Sequence, residues 1–322
     1  MVEPAQLSAV FIGQGTLLVR CAEEFLHAGH RVVAVVSTEP LIERWAEAQA
    51  VPHLDSEDGL VERLGALDFD YLFSVANMRV VPADVLARPR RGAINFHDAL
   101  LPRYAGAHAT SWAIMAGETV HGVTWHEMLE RVDAGRILKQ RAVEIAPDET
   151  AVSLNAKCYE AGIVSFAELI AELAAGTAAF ADPRLDERTY FALHKRPAGA
   201  GVLDWQRPAG ALSAAARALD FGPSPNPLGR PKIDLGDTVL LVPAVEVLPQ
   251  PSTALPGTVV RAEGAALVVA TATSDVRLPE VQTVEGRALA AVDLAGLGIR
   301  AGVRLVPGTP AGGVAPVAVY AA

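Results

Sequence analysis

Asn95 and His97 stand two positions apart in the run Ala93-Ile94-Asn95-Phe96-His97, whose branched and aromatic residues predict a strand over 93–97. The period of two puts both polar side chains on one face of that strand. A turn-rich segment follows, Leu100-Leu101-Pro102-Arg103-Tyr104-Ala105-Gly106, and Asp133 lies further on in the loop Val132-Asp133-Ala134-Gly135. An amide, an imidazole and a carboxylate are the groups that acyl transfer to an amine requires. The amide can donate to a developing oxyanion. The imidazole can add a second donor when protonated, or act as a base when neutral. The carboxylate can orient the imidazole or take the amine's proton through a water. Each residue alone has a plainer reading: an Asn at a strand end caps a turn, a lone His is a satisfied polar group, and Asp-x-Gly is a turn. Only the fold can bring the three together.

The elements that must position them alternate. Strands are expected at 7–12, 31–36, 70–75 and 93–97, and helices at 16–28, 41–49, 61–67 and 82–86, which implies a Rossmann-like parallel α/β sheet. In such a sheet ligands lie at the carboxyl ends of strands, where Asn95 and His97 fall. Gly13-Gln14-Gly15 closes the first strand but lacks the third glycine of a dinucleotide fingerprint, so it reads as a tight strand-to-helix turn. A helix at 109–117, strands at 122–127 and 137–143, and a long amphipathic helix at 150–175 complete a catalytic domain over 1–185. Asp148-Glu149-Thr150 supplies a helix-start signal to the last of these. Residues 186–205 read as a linker. One helix at 209–219 and short strands at 238–242, 257–261, 266–270 and 274–278 predict a small β-barrel over 206–308, and 309–322 has the composition of a tail.

Composition narrows the function. The chain has 322 residues, 51 % hydrophobic and 20 % charged, with a net charge of −10, which argues against a large nucleic-acid footprint. Cys21 and Cys158 read as buried small hydrophobes, not as a disulfide or a catalytic thiol. No signal peptide or apolar run of spanning length is visible, so a cytoplasmic protein off the membrane is expected. His108, His121 and His126 lie near the candidate site without metal-ligand spacing, and no metal is expected; His126 could face an acceptor, but the strand position favours a structural role.

The pattern Asn95-x-His97-x-x-Leu100-Leu101-Pro102-x-Tyr104-x-Gly106, then Gly122-Val123-Thr124 and Asp133-x-Gly135-x-Ile137, resembles the signature of the formyltransferase family that uses 10-formyltetrahydrofolate. Residues 205–305, from Asp204-Trp205 through Arg217-Ala218-Leu219, resemble that family's C-terminal OB-like barrel. The resemblance implies Asn95, His97 and Asp133 as the catalytic set. It implies folate contacts from Met78, Arg79, Val80 and Val81, from Leu100, Leu101 and Pro102, and from Val132 and Gly135.

Two departures bear on the acceptor. Members that formylate methionyl-tRNA carry a basic loop after the second strand and commonly an Arg before the glycine of the Leu-Leu-Pro loop. Here those places hold Ser37-Thr38-Glu39-Pro40-Leu41-Ile42-Glu43-Arg44 and Ala105. Residues 206–322 carry nine Lys and Arg against nine Asp and Glu, so no net charge is offered to phosphates. The expectation is therefore an acceptor other than tRNA: a small or carrier-protein-tethered amine. The run 221–229 resembles formyltransferase modules of peptide and polyketide synthetases, and implies nonribosomal biosynthesis as part of a larger synthetase. Methionyl-tRNA and an amino-sugar nucleotide stand as alternative acceptors. A folate hydrolase or a non-catalytic folate-binding module stands as the alternative of another class.

Overall fold

A computed structural model describes residues 5–55 and 59–308. The expected tail at 309–322 lies outside them. The chain divides into two compact units: one holds residues up to Thr110, Thr119–Ile145 and Leu154–Leu193, the other Ser111–Glu118, Ala146–Ser153 and the chain from His194 on.

The first unit opens with β1 (Ser8–Gly13), α1 (Gly15–His27), β2 (Arg31–Val36), α2 (Pro40–Ala48), β3 (His53–Leu54), α3 (Leu60–Gly65), β4 (Tyr71–Val75), α4 (Ala83–Leu86) and β5 (Gly92–His97). In chain order the short β6 (Ala105–Gly106), α5 (Ala109–Ala116), β7 (Val120–Glu127), β8 (Ile137–Glu144), the long α6 (Ala151–Ala175) and β9 (Tyr190–Phe191) follow; most of α5 and the first residues of α6 belong to the second unit. Seven strands form one sheet in the order β3-β2-β1-β4-β5-β7-β8. The pairs from β3 to β5 are parallel, while β5–β7 and β7–β8 are antiparallel. The expected parallel α/β sheet is present, and two antiparallel strands extend it on the side that carries the site. Period-two patterning reports which residues share a face and carries no information on strand direction, so the reversal at β7 was invisible in the sequence.

The central strands β1 and β4 are buried on both faces. Val10, Ile12, Val33, Val36 and Leu72 pack with Leu60, Leu64, Phe69 and Val85 on one side. On the other, Phe11, Phe25, Phe73, Phe166 and Trp125 form a chain of rings with centroids 4.9–5.6 Å apart at successive contacts. Their burial, at about 25 cal/mol per Å² of apolar surface, anchors α1 and α6 to the sheet. The Trp125 indole N–H donates to Ser165 Oγ at 3.0 Å, so its polar atom is not orphaned.

Helix ends follow their local chemistry. Gly29, at φ 83°, closes α1 with its N–H on Leu26 O and the His30 N–H on Phe25 O, the paired bonds of a Schellman cap. The Thr150 hydroxyl accepts the Ser153 N–H at 3.2 Å, the cap expected at the start of α6. At Gly13 a Cβ would lie 1.8 Å from Val75 O, and the neighbouring Gly15 N–H is taken by the Glu39 carboxylate at 2.7 Å. The start of α1 therefore already holds an anion from the chain itself, which agrees with a tight turn in place of a phosphate-binding fingerprint.

The second unit contains α7 (Ala209–Ala218), β10 (Lys232–Asp234), β11 (Val239–Leu241), β12 (Glu246–Pro251), β13 (Val259–Glu263), β14 (Ala266–Val269), β15 (Ser274–Leu278) and α8 (Ala291–Gly296). It is rich in antiparallel strands, arranged as a sheet β12-β15-β14-β13 and a hairpin β10-β11. Leu203, Trp205, Leu212, Val259, Leu267, Val276 and Leu278 are among its core residues. β10 and β12 were not expected; Pro249 and Pro251 within β12 mask its strand character. Among the described residues no helix is long and apolar enough to cross a membrane.

Candidate active site

The carboxyl end of β5 carries the site. Register places Asn95 opposite Ser74 of β4 on one side and opposite His126 of β7 on the other, and His97 opposite Thr124. Asp133, on the loop between β7 and β8, adopts φ 51°, a left-handed conformation that Asp tolerates better than most residues. Its carboxylate meets both histidines: Oδ2 lies 3.6 Å from His97 Nδ1, and Oδ1 lies 3.4 Å from His126 Nε2. Oδ2 also accepts the Gly106 N–H at 2.7 Å. The three residues singled out from sequence thus converge, with His126 as a fourth. His97, His126 and Asp133 are all buried.

Hydrogen bonding fixes the tautomers. His97 Nε2 is 2.8 Å from Tyr104 O, and a carbonyl only accepts, so Nε2 carries a hydrogen and Nδ1 is left to exchange a proton beside Asp133. His126 Nδ1 donates in the same way to Glu127 O at 2.7 Å. The Asn95 amide nitrogen donates to Phe96 O at 2.9 Å and contacts His126 Nε2 at 3.2 Å. Both its hydrogens are engaged in this arrangement. Burial pushes the Asp133 carboxyl up, but the His97 charge, the His126 contact and the Gly106 N–H outweigh it and hold that group well below the usual carboxylate range. Asp133 is therefore an anion at any physiological pH.

Neighbouring residues hold these groups in place. Thr124 Oγ1 accepts the Leu101 N–H at 3.1 Å and donates to Ala99 O at 2.6 Å, while Gln140 Nε2 donates to Leu101 O at 2.9 Å; together they pin the turn after β5. His121 Nε2 lies 2.6 Å from Asp98 O. Gly122 has no room for a side chain, since a Cβ would fall 2.4 Å from Arg141 O. The segment expected as a linker supplies β9, which pairs with β6, and Phe191 stacks on Tyr104 with ring centroids 5.7 Å apart. Arg188 donates to Val132 O at 3.0 Å, tying that segment to the Asp133 loop.

The candidate folate residues fall in three places. Met78, Arg79 and Val80 are exposed in the loop after β4, whereas Val81 belongs to the core packed on the sheet. Leu101 and Pro102 are buried in the pinned turn and Leu100 is half-buried. Val132 is partly exposed beside Asp133, and Gly135 lies against β7, where a Cβ would be 2.1 Å from Glu127 O. Among the described residues no cluster of His, Cys, Asp or Glu has the make-up of a metal site. Sequence reasoning missed the Gly106 N–H and undervalued His126. The first is a backbone group with no residue signature, and the second required the register of β7 against β5.

The family described as Formyl transferase matches residues 8–170, and its C-terminal domain matches residues 198–297. This chain belongs to the 10-formyltetrahydrofolate-dependent formyltransferase family. The formyltransferase is 32 % identical over 313 residues to a methionyl-tRNA formyltransferase of Parvibaculum lavamentivorans, spanning 92 % of this chain and 99 % of that protein. It is 34 % identical over 248 residues to the Burkholderia thailandensis methionyl-tRNA formyltransferase, covering 77 % of this chain and 74 % of the other. Among solved structures, WlaRD, a sugar 3N-formyl transferase, matches with TM-score 0.64 at 13 % identity over 87 % of this chain and 98 % of its own. HypX from Aquifex aeolicus matches with TM-score 0.63 at 18 % identity over 91 % of this chain, and the formyltransferase spans about half of HypX, 49 %. At those identities the structures establish the fold alone.

The expectations of an N-formyltransferase and of a folate formyl donor are borne out by the family. The expectation that excluded tRNA is overturned, because the curated relatives at 32–34 % identity are methionyl-tRNA formyltransferases. The physical error was to weigh net charge over a long segment: tRNA contacts need a few cations in the right place, and an even balance of acids and bases does not forbid them. Nothing in these comparisons points to nonribosomal peptide synthesis.

Proposed function

We propose that this formyltransferase moves the formyl group of 10-formyltetrahydrofolate onto the α-amino group of methionyl-tRNA, with Asn95, His97 and Asp133 as its catalytic residues. The observation that carries the acceptor is the near end-to-end likeness to a curated methionyl-tRNA formyltransferase. Support for the residue roles comes from the convergence of an amide, an imidazole and a buried carboxylate at one strand end.

In this reading the amine nitrogen attacks the formyl carbon and the carbonyl oxygen becomes an oxyanion. The Asn95 amide and the protonated His97 Nδ1 stabilise it. Asp133 sets the imidazole and compensates its positive charge. The amine gives up one proton, the bond from the formyl carbon to N10 breaks, and N10 takes a proton. The products are a formamide and tetrahydrofolate. Loops 78–81, 100–102 and 132–135 hold the folate, with Met78, Val80 and Val132 supplying exposed apolar surface for a flat ring.

The test is a mass-spectrometric acceptor panel with 10-formyltetrahydrofolate and, in separate reactions, methionyl-tRNA, a dTDP-amino sugar, aminoacyl carrier protein and no acceptor. Formyl-methionyl-tRNA as the dominant product supports the proposal. Preferential formylation of the sugar or carrier substrate, or release of formate whatever the acceptor, overturns it.

A further inference from the structure

His126 is the ionisable group of the site that this chemistry leaves unused. It lies opposite Asn95 across the β5–β7 pairing and is 2 % exposed. Its Nδ1–H is committed to Glu127 O at 2.7 Å, so Nε2 is the atom at which it gains or loses a proton. Two groups face that atom with opposite demands. The Asn95 amide nitrogen, at 3.2 Å, is a donor and needs a bare Nε2. Flipping the amide does not remove the conflict, because the same nitrogen also serves Phe96 O at 2.9 Å. Asp133 Oδ1, at 3.4 Å, only accepts and needs a protonated Nε2. One imidazole cannot satisfy both at once.

We propose that His126 is a positioning residue that couples the Asn95 amide to proton transfer: neutral, it holds an Asn95 N–H; protonated, it bonds Asp133 and releases that N–H to the formyl oxyanion. The proposal rests on the formyl-transfer reading of the site. As the amine attacks, one of its protons passes along the Asp133 carboxylate to His126 Nε2. The freed Asn95 N–H meets the oxyanion at that moment. When the tetrahedral centre collapses and the bond to N10 breaks, the proton returns by the same route to N10, and neutral His126 recaptures the amide. The proton lost by the amine equals the proton gained by N10. Because the Asp133 carboxyl is held well below the usual range, the proton rests on a histidine and Asp133 serves as the path.

The groups around His126 are few. Asn95 faces it from β5, Asp133 from the β7–β8 loop, and the Glu127 carbonyl from its own strand. Opposite it on β8 is the apolar Ile137. Beyond Asp133, His97 Nδ1 lies 3.6 Å from its other carboxylate oxygen, and Asp98 Oδ1 lies 3.9 Å from that same nitrogen. The Glu127 carboxylate is turned to Arg136 at 2.6 Å.

The experiment is a side-chain NMR titration of the full chain carrying ¹⁵N-labelled His and Asn, paired with kinetics of His126→Gln and His126→Leu. The expected result is an Nδ1–H tautomer of His126 at high pH, proton uptake at Nε2 on acidification, and movement of the Asn95 amide resonances with the same midpoint. Neither variant can titrate at this position. Both should lose at least tenfold in kcat, keep KM for the folate within about twofold, and lack one titration from the pH profile of kcat. Asn95 resonances that ignore the His126 titration overturn the proposal, as does a wild-type pH profile in both variants. The NMR result does not depend on turnover, so failure of the formyl-transfer reading would appear separately, as no transfer by the wild-type chain.

Discussion

Replacing Asp133 by Asn separates the charge of that side chain from its shape. The amide is nearly isosteric and retains an oxygen to accept the Gly106 N–H, now at 2.7 Å. What disappears is a negative charge 3.6 Å from His97 Nδ1 and 3.4 Å from His126 Nε2. Both contacts are buried, so solvent screening is weak. At an effective dielectric of about 20, unit charges 3.6 Å apart attract by roughly 4–5 kcal/mol. The proposed chemistry places positive charge on the imidazole in the transition state, and each ~1.4 kcal/mol is a factor of ten in rate. Asp133→Asn should therefore slow the chemical step about 10³-fold, inside the range of roughly 10²–10⁴ for general acid–base groups. Single-turnover formyl transfer at saturating folate reads this step, and folate binding by fluorescence reads the rest. The dissociation constant should stay within about threefold. A rate loss smaller than tenfold, or one matched by an equal loss of folate affinity, refutes the electrostatic role.

Other consequences follow from the same contacts. The Asp133 carboxyl is depressed in the folded chain, so its stabilisation is present above the ordinary carboxylate range and is lost as pH falls through the folded value; Asp133→Asn should be less stable at neutral pH and flatter in stability below about pH 4, as read by urea unfolding at several pH values. Gly106→Ala adds a Cβ 2.1 Å from Phe191 O at a residue with φ 99°, which should force β6 from β9, cost at least about 2 kcal/mol and lower Tm by several degrees in calorimetry. Burial and the nearby Glu24 push the Cys21 thiol far above its ordinary range, against a smaller opposing effect of Arg20, so it should resist alkylation in the native state and label promptly in denaturant.

Much of the site was legible in local pattern, and what was not depended on long-range geometry. Strand periodicity placed Asn95 and His97 on one face, and the structure has both turned toward Asp133 and His126. The packing role of the motif's glycines was not legible: Gly122 against Arg141 O and Gly135 against Glu127 O leave no space for a side chain. The partnership of Asn95 with His126 was not legible, because it arises only when β7 runs antiparallel to β5 in one register, and a one-residue slip would point His126 to the other face. Nor could the sequence reveal that a strand inside the apparent linker, Tyr190–Phe191, secures the Gly106 turn. Within loop 78–81 the burial differs by residue, which the motif did not indicate: Val81 packs in the core, while Met78, Arg79 and Val80 are exposed.

The most direct measurement is single-turnover formyl transfer from 10-formyltetrahydrofolate to methionyl-tRNA by the wild-type chain, Asn95→Ala and His97→Ala, with folate binding measured on the same samples. If these side chains stabilise the oxyanion and move the proton, the wild type forms formyl-methionyl-tRNA, and each variant binds folate normally yet transfers the formyl group at least 100-fold more slowly, about the loss seen when an oxyanion donor or acid–base group is removed. Variants that bind folate and still transfer at the wild-type rate would contradict the assignment of chemistry to this strand end.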